Sequence, residues 1–475
     1  MSLRAYDMRR RAKVPFEPVR SGHAGMYVCG MTVQDKPHVG HMRYAVSGDT
    51  IRRVLEWKGY QVTYVTNFTD IDDRIIARGN EEGVPFTLVS QRNIDAFLHY
   101  ADLLNIKPAT HYPRATEHIP EILELIQLLM QKGYAYAAGG DVYFEVRKYP
   151  RYGELSGRNV DEMRTGVRIE VGESKRDPLD FTLWKGAKPG EPSWPSPWGP
   201  GRPGWHIECS AMAMKYLGET FDFHGGGQDL LFPHHENEMA QSEAATGKPF
   251  ARHWVENGLV NLEGEKMSKS TKHFFSIEDV AARVEPEVIR FYLQSTHYRS
   301  PIEWNETRLK EAGVAYARLR EALAKVGAGE PTSAPTEGNS PATSSLASEI
   351  ADLAAQFDES VEDDFNTAKA QGHLFEMAKA INRIADSPAA PAAERAALPT
   401  AARKLRELGS VIGLFWGGAI PDVEVPEEVQ TLVRARDDSR MQKKWKRADE
   451  LRDEILALGY VLEDSKGGTR ARRKT

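Results

Sequence analysis

Apolar positions in the first seventy residues follow three different rhythms. Gly25-Met-Tyr-Val-Cys-Gly30 is a short apolar run ending at glycine, which reads as a buried strand. From Met42 to Trp57, apolar residues fall near helical spacing (Ala45, Val46, Ile51, Val54, Leu55). Gln61 to Phe68 (QVTYVTNF) is rich in β-branched and aromatic residues and reads as a second strand. Strand, helix and strand within about 45 residues predict a βαβ unit and a parallel sheet. Such sheets bind ligands beyond the carboxyl ends of their strands, where Cys29 and the residues after it lie.

Further on, the pattern is mostly helical from Asp70 to about Lys132, then short strands and turns from Asp141 to Leu183. Gly186 to Trp205 contains SWPSPWGPGRPGW, and so many prolines and glycines argue against any regular element. His206–Leu217 reads as a helix. Thr220–His224 reads as a strand running into Gly225-Gly226-Gly227. Phe232–Thr246 reads as a helix with Pro233 near its start. Val326–Ser348 is rich in Gly, Pro, Ser and Thr, as expected of a linker. Leu346–Phe415 is Ala/Leu-rich and helical, interrupted around Pro388–Pro391. Pro426–Leu458 is a charged helical stretch, and Gly459–Asp464 a short strand. No internal repeat is found.

A chain of 475 residues suggests roughly two to four domains. At 41% hydrophobic and 27% charged, its composition is that of a soluble globular protein. No apolar run reaches the ~18 residues of a membrane span. Met1–Arg11 lacks the apolar stretch of a signal peptide, so a cytoplasmic location is expected. The net charge of −6 does not advertise nucleic-acid binding, but charge is unevenly spread. Arg434–Lys474 holds 13 Lys and Arg against 8 Asp and Glu. Its end carries Lys466, Arg470, Arg472, Arg473 and Lys474 with no acid between them, either a solvated tail or an RNA contact.

Three groups of residues carry candidate chemistry. Pro37-His-Val-Gly-His41 lies between a strand and a helix, where unpaired N–H groups and the helix dipole favour phosphate. Gly40 allows close backbone approach, and His38 and His41 can donate to a phosphate. Lys266-Met-Ser-Lys-Ser270 places two lysines in a loop able to fold over a triphosphate. The third group is a candidate metal set. His234 and Glu238, four apart on a predicted helix, share one face. With the only two cysteines, Cys29 and Cys209, they make four plausible zinc ligands. His235 competes for the imidazole position, and the cysteines could equally be buried core thiols.

The histidine and lysine motifs together resemble the two signatures of class I aminoacyl-tRNA synthetases. MYVCGMTV, NFTDIDDRI, EPSWPSPWGPGRPGWHIECSAM, FDFHGGGQDLLFPHHENE, EKMSKS and DDFNT resemble, in order, the blocks of the cysteinyl-tRNA synthetase family, from about Leu3 to Lys474. The resemblance implies a Rossmann-like α/β catalytic domain over residues 1–310, including an inserted connective region. It further implies an all-α helical bundle over 311–420 and an anticodon-binding region over 421–475. It implies zinc held by Cys29, Cys209, His234 and Glu238. Substrate cysteine would meet Thr69, Trp205 and Asp229, and ATP would meet His38, Gly40, His41 and Lys269. Lys266 and Lys269 would stabilise the reacting phosphate. Mg²⁺ would accompany ATP, tRNA(Cys) would be the second substrate, and the enzyme would be a monomer.

The chain departs from the family pattern in three places. Thr271-Lys272-His273 replaces leucine-glycine-asparagine, Gln34 replaces a tyrosine, and Ala471 stands where a tryptophan is usual. Two rival functions are a ligase joining cysteine to an amino-sugar and an inactive RNA-binding protein. The first would lack the C-terminal region from Leu346 onward. The second would be expected to lose phosphate or metal residues.

Overall fold

The computed structural model describes residues 3–162, 174–262, 265–266, 276–326, 344–416, 427–442, 444–458, 460–465 and 468–473. These divide into two compact units, one ending at Trp416 and one holding the residues from Glu427 onward.

The predicted βαβ unit is present. Strand His23–Val28, helix Val39–Trp57 and strand Gln61–Thr66 follow one another, with the strands parallel. The helix begins three residues before the predicted Met42, because the His38 and His41 side chains cap its first turn. Strands Phe221–Gly227 and Ala251–Asn257 complete a four-stranded sheet. Its order is Ala251–Asn257, Phe221–Gly227, His23–Val28, Gln61–Thr66, and every pairing is parallel. Val28 pairs with both Gly225 and Thr66, so all four strands end at one edge. Phe221–Gly226 is buried throughout, as expected of a strand covered on both faces.

In sequence, between Gln61–Thr66 and Phe221–Gly227, come the strands of a separate four-stranded antiparallel sheet: Ala135–Ala138, Asp141–Phe144, Phe181–Gly186 and Gly201–Pro203. The last of these corrects the expectation of an irregular run from Gly186 to Trp205. Gly201–Pro203 pairs with Trp184–Gly186 as an edge strand, where the missing proline N–H costs no ladder bond. A second correction concerns Phe232–Thr246. Phe232 is extended (φ −141, ψ 130), as a residue before proline prefers, and regular helix begins only at Glu236.

Helices Glu306–Val326, Ser345–Glu362, Thr367–Ala385 and Ala392–Val411 follow. The predicted linker is therefore shorter at its far end than Ser348, since Ser344 caps a helix by accepting from the Ala347 N–H. Residues 327–343 of that linker lie outside the described residues. Among the described residues no helix is long and apolar enough to cross a membrane.

In the second unit the charged stretch is two helices, Glu427–Met441 and Trp445–Ala457. The expected strand, Tyr460–Ser465, is present, and Gly468–Arg473 pairs with it antiparallel. Arg470, Arg472 and Arg473 are thus strand residues rather than part of a loose tail. Thr469 holds this hairpin to the first helix, its hydroxyl donating to Asp437 Oδ1 at 2.5 Å. Val429, Val433 and Ile455 form the small core.

Arg290, with no exposed surface, binds the first unit together. Its guanidinium donates to Asp49 Oδ2 at 2.6 Å and to the carbonyls of Leu104, Asn105 and Ile412. It therefore joins the helix Val39–Trp57 to the end of the helical array. Arg290→Met removes one of the two cations on buried Asp49, which keeps Arg53 at 2.7 Å, and strips the carbonyls of Leu104, Asn105 and Ile412 of their buried donor. Such a loss costs about 3–5 kcal/mol, and a urea titration should show the midpoint falling accordingly.

Candidate active site and metal centre

Because the four parallel strands end together, the segments that follow them crowd into one crevice. A cleft of about 250 Å³ opens there. Its lining includes Cys29, Gln34, His38, Gly40, His41, Trp205, Asp229 and the consecutive residues Asn257–Val260. Six of the twelve sequence-predicted residues, Cys29, His38, Gly40, His41, Trp205 and Asp229, thus line one space.

Local geometry explains how each arrives. Cys29 follows the strand His23–Val28, and its N–H donates to the Gly225 carbonyl at 2.9 Å. The next residue must be glycine: a Cβ on Gly30 would lie 1.7 Å from the Asn67 carbonyl oxygen. Cys209 sits on helix Trp205–Leu217, and His234 and Glu238 lie at the start of the helical segment after Gly227. All four side chains are buried, and their ligand atoms lie within 4.8 Å of one another. Cys29 Sγ is 3.2 Å from Glu238 Oε1, and His234 Nε2 is 3.0 Å from the same oxygen.

The donor set fits a single zinc ion. Bonds of ~2.0–2.3 Å in a tetrahedron put ligand atoms ~3.3–3.8 Å apart, close to the spacing here. The electrostatics also suit a cation. Burial, reinforced by neighbouring Cys209 and Glu238, pushes the Cys29 thiol well above its ordinary value. Burial opposes ionisation of Cys209 too, but hydrogen bonds from Cys29 and His234 hold it down at about 6. Glu238 stays well below the carboxylate range despite its burial, because His224 and His234 face it. His234 is raised to about 10, since Glu238 and Cys209 outweigh its desolvation.

A second set, Cys29, His224, His235 and Glu238, satisfies the same distance limit. There, however, His235 Nδ1 is 2.7 Å from Glu256 Oε1 and His224 Nε2 is 2.9 Å from Glu238 Oε2. The first set is distinguished by gathering both thiols, the donors zinc favours, while His224 and His235 stand beside it against carboxylates. His206 has a similar place, its Nδ1 being 3.0 Å from His234 Nδ1. Sequence reading missed His206 and His224. Their positions, beside Trp205 and just before the triple glycine, were the available signal.

His38 and His41 make a reciprocal cap. The His41 N–H donates to His38 Nδ1 at 3.3 Å, and the His38 N–H to His41 Nδ1 at 3.2 Å. Their rings stack with centroids 3.6 Å apart. Since each Nδ1 is an acceptor, each neutral ring carries its proton on Nε2.

Trp205 lines the cleft with its ring centroid 4.4 Å from that of His234. Asp229 lines it from the turn Gln228–Leu230, and a Cβ on Gly227 would meet the Asp229 carboxylate at 2.6 Å. Thr69 is not in the lining. It is buried behind it, pairing through its backbone with Met31 and Val33 and hydrogen-bonding Glu208. The sequence reading also missed Arg74, which lines the cleft, pairs with Asp72 at 2.7 Å and lies 5.8 Å from the Trp205 ring centroid.

Lys266 belongs to the strand Glu265–Lys266, which pairs antiparallel with Asn261–Leu262 just beyond the cleft. Lys269 and Thr271-Lys272-His273 lie outside the described residues. On the far side of that segment, Ser276 forms a bridge with His38. Both described flanks therefore stand beside the cleft.

Comparison with known proteins accords with this geometry. Residues 15–314 match the family described as tRNA synthetases class I (C) catalytic domain. Residues 356–416 match the DALR domain, and 422–472 the cysteinyl-tRNA ligase anticodon binding domain. The cysteine–tRNA ligase of Geobacter sulfurreducens is 49% identical, with 99% of each chain covered. That of Pseudomonas aeruginosa is 48% identical, with 98% of each covered. Among solved structures, the fold is similar to methionyl-tRNA synthetase of Mycobacterium tuberculosis in complex with methionyl-adenylate. That match has a TM-score of 0.61 at 16% identity, over 82% of this chain and 91% of the other. A crevice at the strand ends with a buried thiol, imidazole and carboxylate cluster on one side and a histidine-capped helix on the other, joined to full-length relatedness of this degree, places the chain in the cysteine–tRNA ligase family of class I aminoacyl-tRNA synthetases.

Proposed function

We propose that this chain activates L-cysteine with ATP and transfers it to tRNA(Cys), using one zinc ion held by Cys29, Cys209, His234 and Glu238. The observation that carries this reading is the single cleft shared by Cys29 and the His38–Gly40–His41 turn. A zinc ion in that cluster supplies affinity for the substrate thiolate, which the hydroxyl of serine cannot match.

The chain's own residues do the rest by positioning and charge. Trp205 walls the amino-acid end, and the Asp229 carboxylate faces the substrate ammonium. The N-terminus of helix Val39–Trp57 offers backbone N–H groups and a positive dipole to the phosphates. Gly40 leaves room for them. The Nε2 protons of His38 and His41 donate to phosphate oxygens whose charge grows as the substrate carboxylate attacks the α-phosphorus. Lys266 and Lys269 complete the charge stabilisation from the segment whose flanks adjoin the cleft. Pyrophosphate leaves, and a ribose hydroxyl of the tRNA 3′ end then attacks the adenylate carbonyl, releasing AMP. No protein nucleophile is used; orientation supplies most of the acceleration. Mg²⁺ accompanies ATP. The enzyme works as a cytoplasmic monomer, with catalysis in residues 1–310, helical support in 311–420 and anticodon contact in 421–475.

Cysteine-dependent ATP–pyrophosphate exchange, run beside serine and paired with metal analysis, tests this directly. The wild-type protein should exchange with cysteine, prefer it to serine by at least ~10⁴, and carry about one zinc per chain. Cys209→Ala and His234→Ala should each lose most of the zinc and at least about a hundredfold of the exchange rate. Full zinc and unchanged selectivity in both variants would refute the ligand set.

Removing residues 417–475 addresses the C-terminal unit. The shortened enzyme should keep exchange within about threefold while tRNA charging falls at least about a hundredfold, as expected if that unit contributes RNA contacts alone. Equal loss in both assays would make the segment structural.

A further inference from the structure

We propose that Arg43, aided by Ser47, is a positioning residue for the nucleotide-base end of the cleft, fixing the backbone of Asn257–Val260 against which the purine nucleotide lies. The inference rests on the reading of this cleft as the ATP site.

Arg43 follows His41 by two residues and has no exposed surface. Its Nη1 donates to the carbonyls of Gly258 at 2.8 Å and Leu259 at 2.7 Å. Its Nη2 donates to Ser300 at 2.5 Å and lies 3.5 Å from the His297 carbonyl. One guanidinium thus spans two chain segments, and a Cβ on Gly258 would meet the Ser300 backbone at 2.4 Å. One helical turn on, Ser47 Oγ is 2.7 Å from Asn257 Oδ1, and Asn257 Nδ2 donates to the Gly258 carbonyl at 3.0 Å. Arg43 and Ser47 therefore face the same four residues from one side of a helix.

Those four residues all line the cleft, whereas Arg43 does not. It acts through their peptides. In a trans peptide the N–H points opposite the carbonyl, so Arg43, together with the Asn257 amide on Gly258 and the Ile302 N–H on Leu259, fixes the directions of the Leu259 and Val260 N–H groups. The cation also polarises these peptides, strengthening them as donors. The same rigid helix carries the histidine cap at its N-terminus, so both ends of the nucleotide are referenced to one element.

Fold stability alone does not explain an arginine here. Arg290, the other fully buried arginine, is matched by Asp49, but among the described residues no carboxylate pairs with Arg43. Burial brings its pKa down to about 10. A desolvated cation bound only to carbonyls is costly to retain unless what it holds in place matters.

The test uses the full-length, zinc-loaded enzyme with Arg43→Met, Arg43→Lys and Ser47→Ala, assayed by cysteine-dependent pyrophosphate exchange. Arg43→Met should raise the KM for ATP about tenfold or more, and Ser47→Ala about threefold. The KM for cysteine, zinc per chain and kcat should stay near wild type. Arg43→Lys should fall between wild type and Arg43→Met, because an ammonium reaches fewer of the carbonyls. A purely structural arginine would lower kcat through a smaller active fraction and leave the KM for ATP unchanged. That result, or equal rises in the KM for ATP and cysteine, would overturn the proposal. If Arg43→Met does not fold, Ser47→Ala and Arg43→Lys decide the matter by the same readout. Wild-type enzyme without cysteine-dependent exchange would instead refute the ATP reading itself.

Discussion

The site is organised around a carboxylate with no access to water. Glu238 has no exposed surface, and its oxygens divide between two sets of partners. One faces Cys29 and His234, and the other faces His224. A buried carboxylate stripped of such partners is strongly destabilising, so the helix carrying it cannot rotate or slide. Its neighbours add to the constraint. Glu236 accepts from the N–H groups of Gly153 and Ser156, and Gln241 donates to the His206 carbonyl and to Ser210. Every residue from Glu236 to Ala245 is buried. This helix is therefore held in register by specific polar contacts on all sides rather than by an apolar stripe. The strand before it, the helix Trp205–Leu217 and the strand end at Cys29 must all conform to it.

The other wall of the cleft depends on the helix Val39–Trp57. Its first turn is closed by two histidines whose rings also face the ligand space. Its middle holds the turn after strand Ala251–Asn257 through Arg43 and Ser47. Asp49 on the same helix receives Arg290, which reaches Ile412 near the end of the helical array. A second tie runs through Asp364, a buried residue at the turn before helix Thr367–Ala385. It accepts from Tyr298, Arg299 and the Tyr6 N–H. The segment His297–Ser300 is thus held by Asp364 on one side and by Arg43 on the other. Catalytic sheet and helical array are joined by buried polar groups at defined positions, which give more geometric definition than apolar contact of equal area.

Some features were legible because one local rule decided them. The run QVTYVTNF had to be a strand, and the spacing of Ala45, Val46, Ile51, Val54 and Leu55 had to be a helix. His234 and Glu238 meet because residues four apart on a helical segment always do. Other features were misread where a local rule met a tertiary contact. The proline-rich run contains the strand Gly201–Pro203, because Trp184–Gly186 offers it an edge to pair with. Arg470, Arg472 and Arg473 lie in a strand because Tyr460–Ser465 provides a partner. Thr69 is held in place by backbone pairing with Met31 and Val33, a contact that no local rule announces.

By itself, the sequence determined which residues could do chemistry and which short segments would be strands or helices. Both depend on covalent geometry, side-chain type and periodicity over a few residues. It could not bring Cys29 to Cys209 across 180 residues. It also could not show that Arg43 would reach the carbonyls of Gly258 and Leu259, or that His234 would hydrogen-bond Cys209. Those outcomes were decided by strand order and register in the parallel sheet, which set the chain ends that share a crevice. They were decided as well by the requirement that every buried charge find a partner there, a condition satisfied only when distant segments are assembled together.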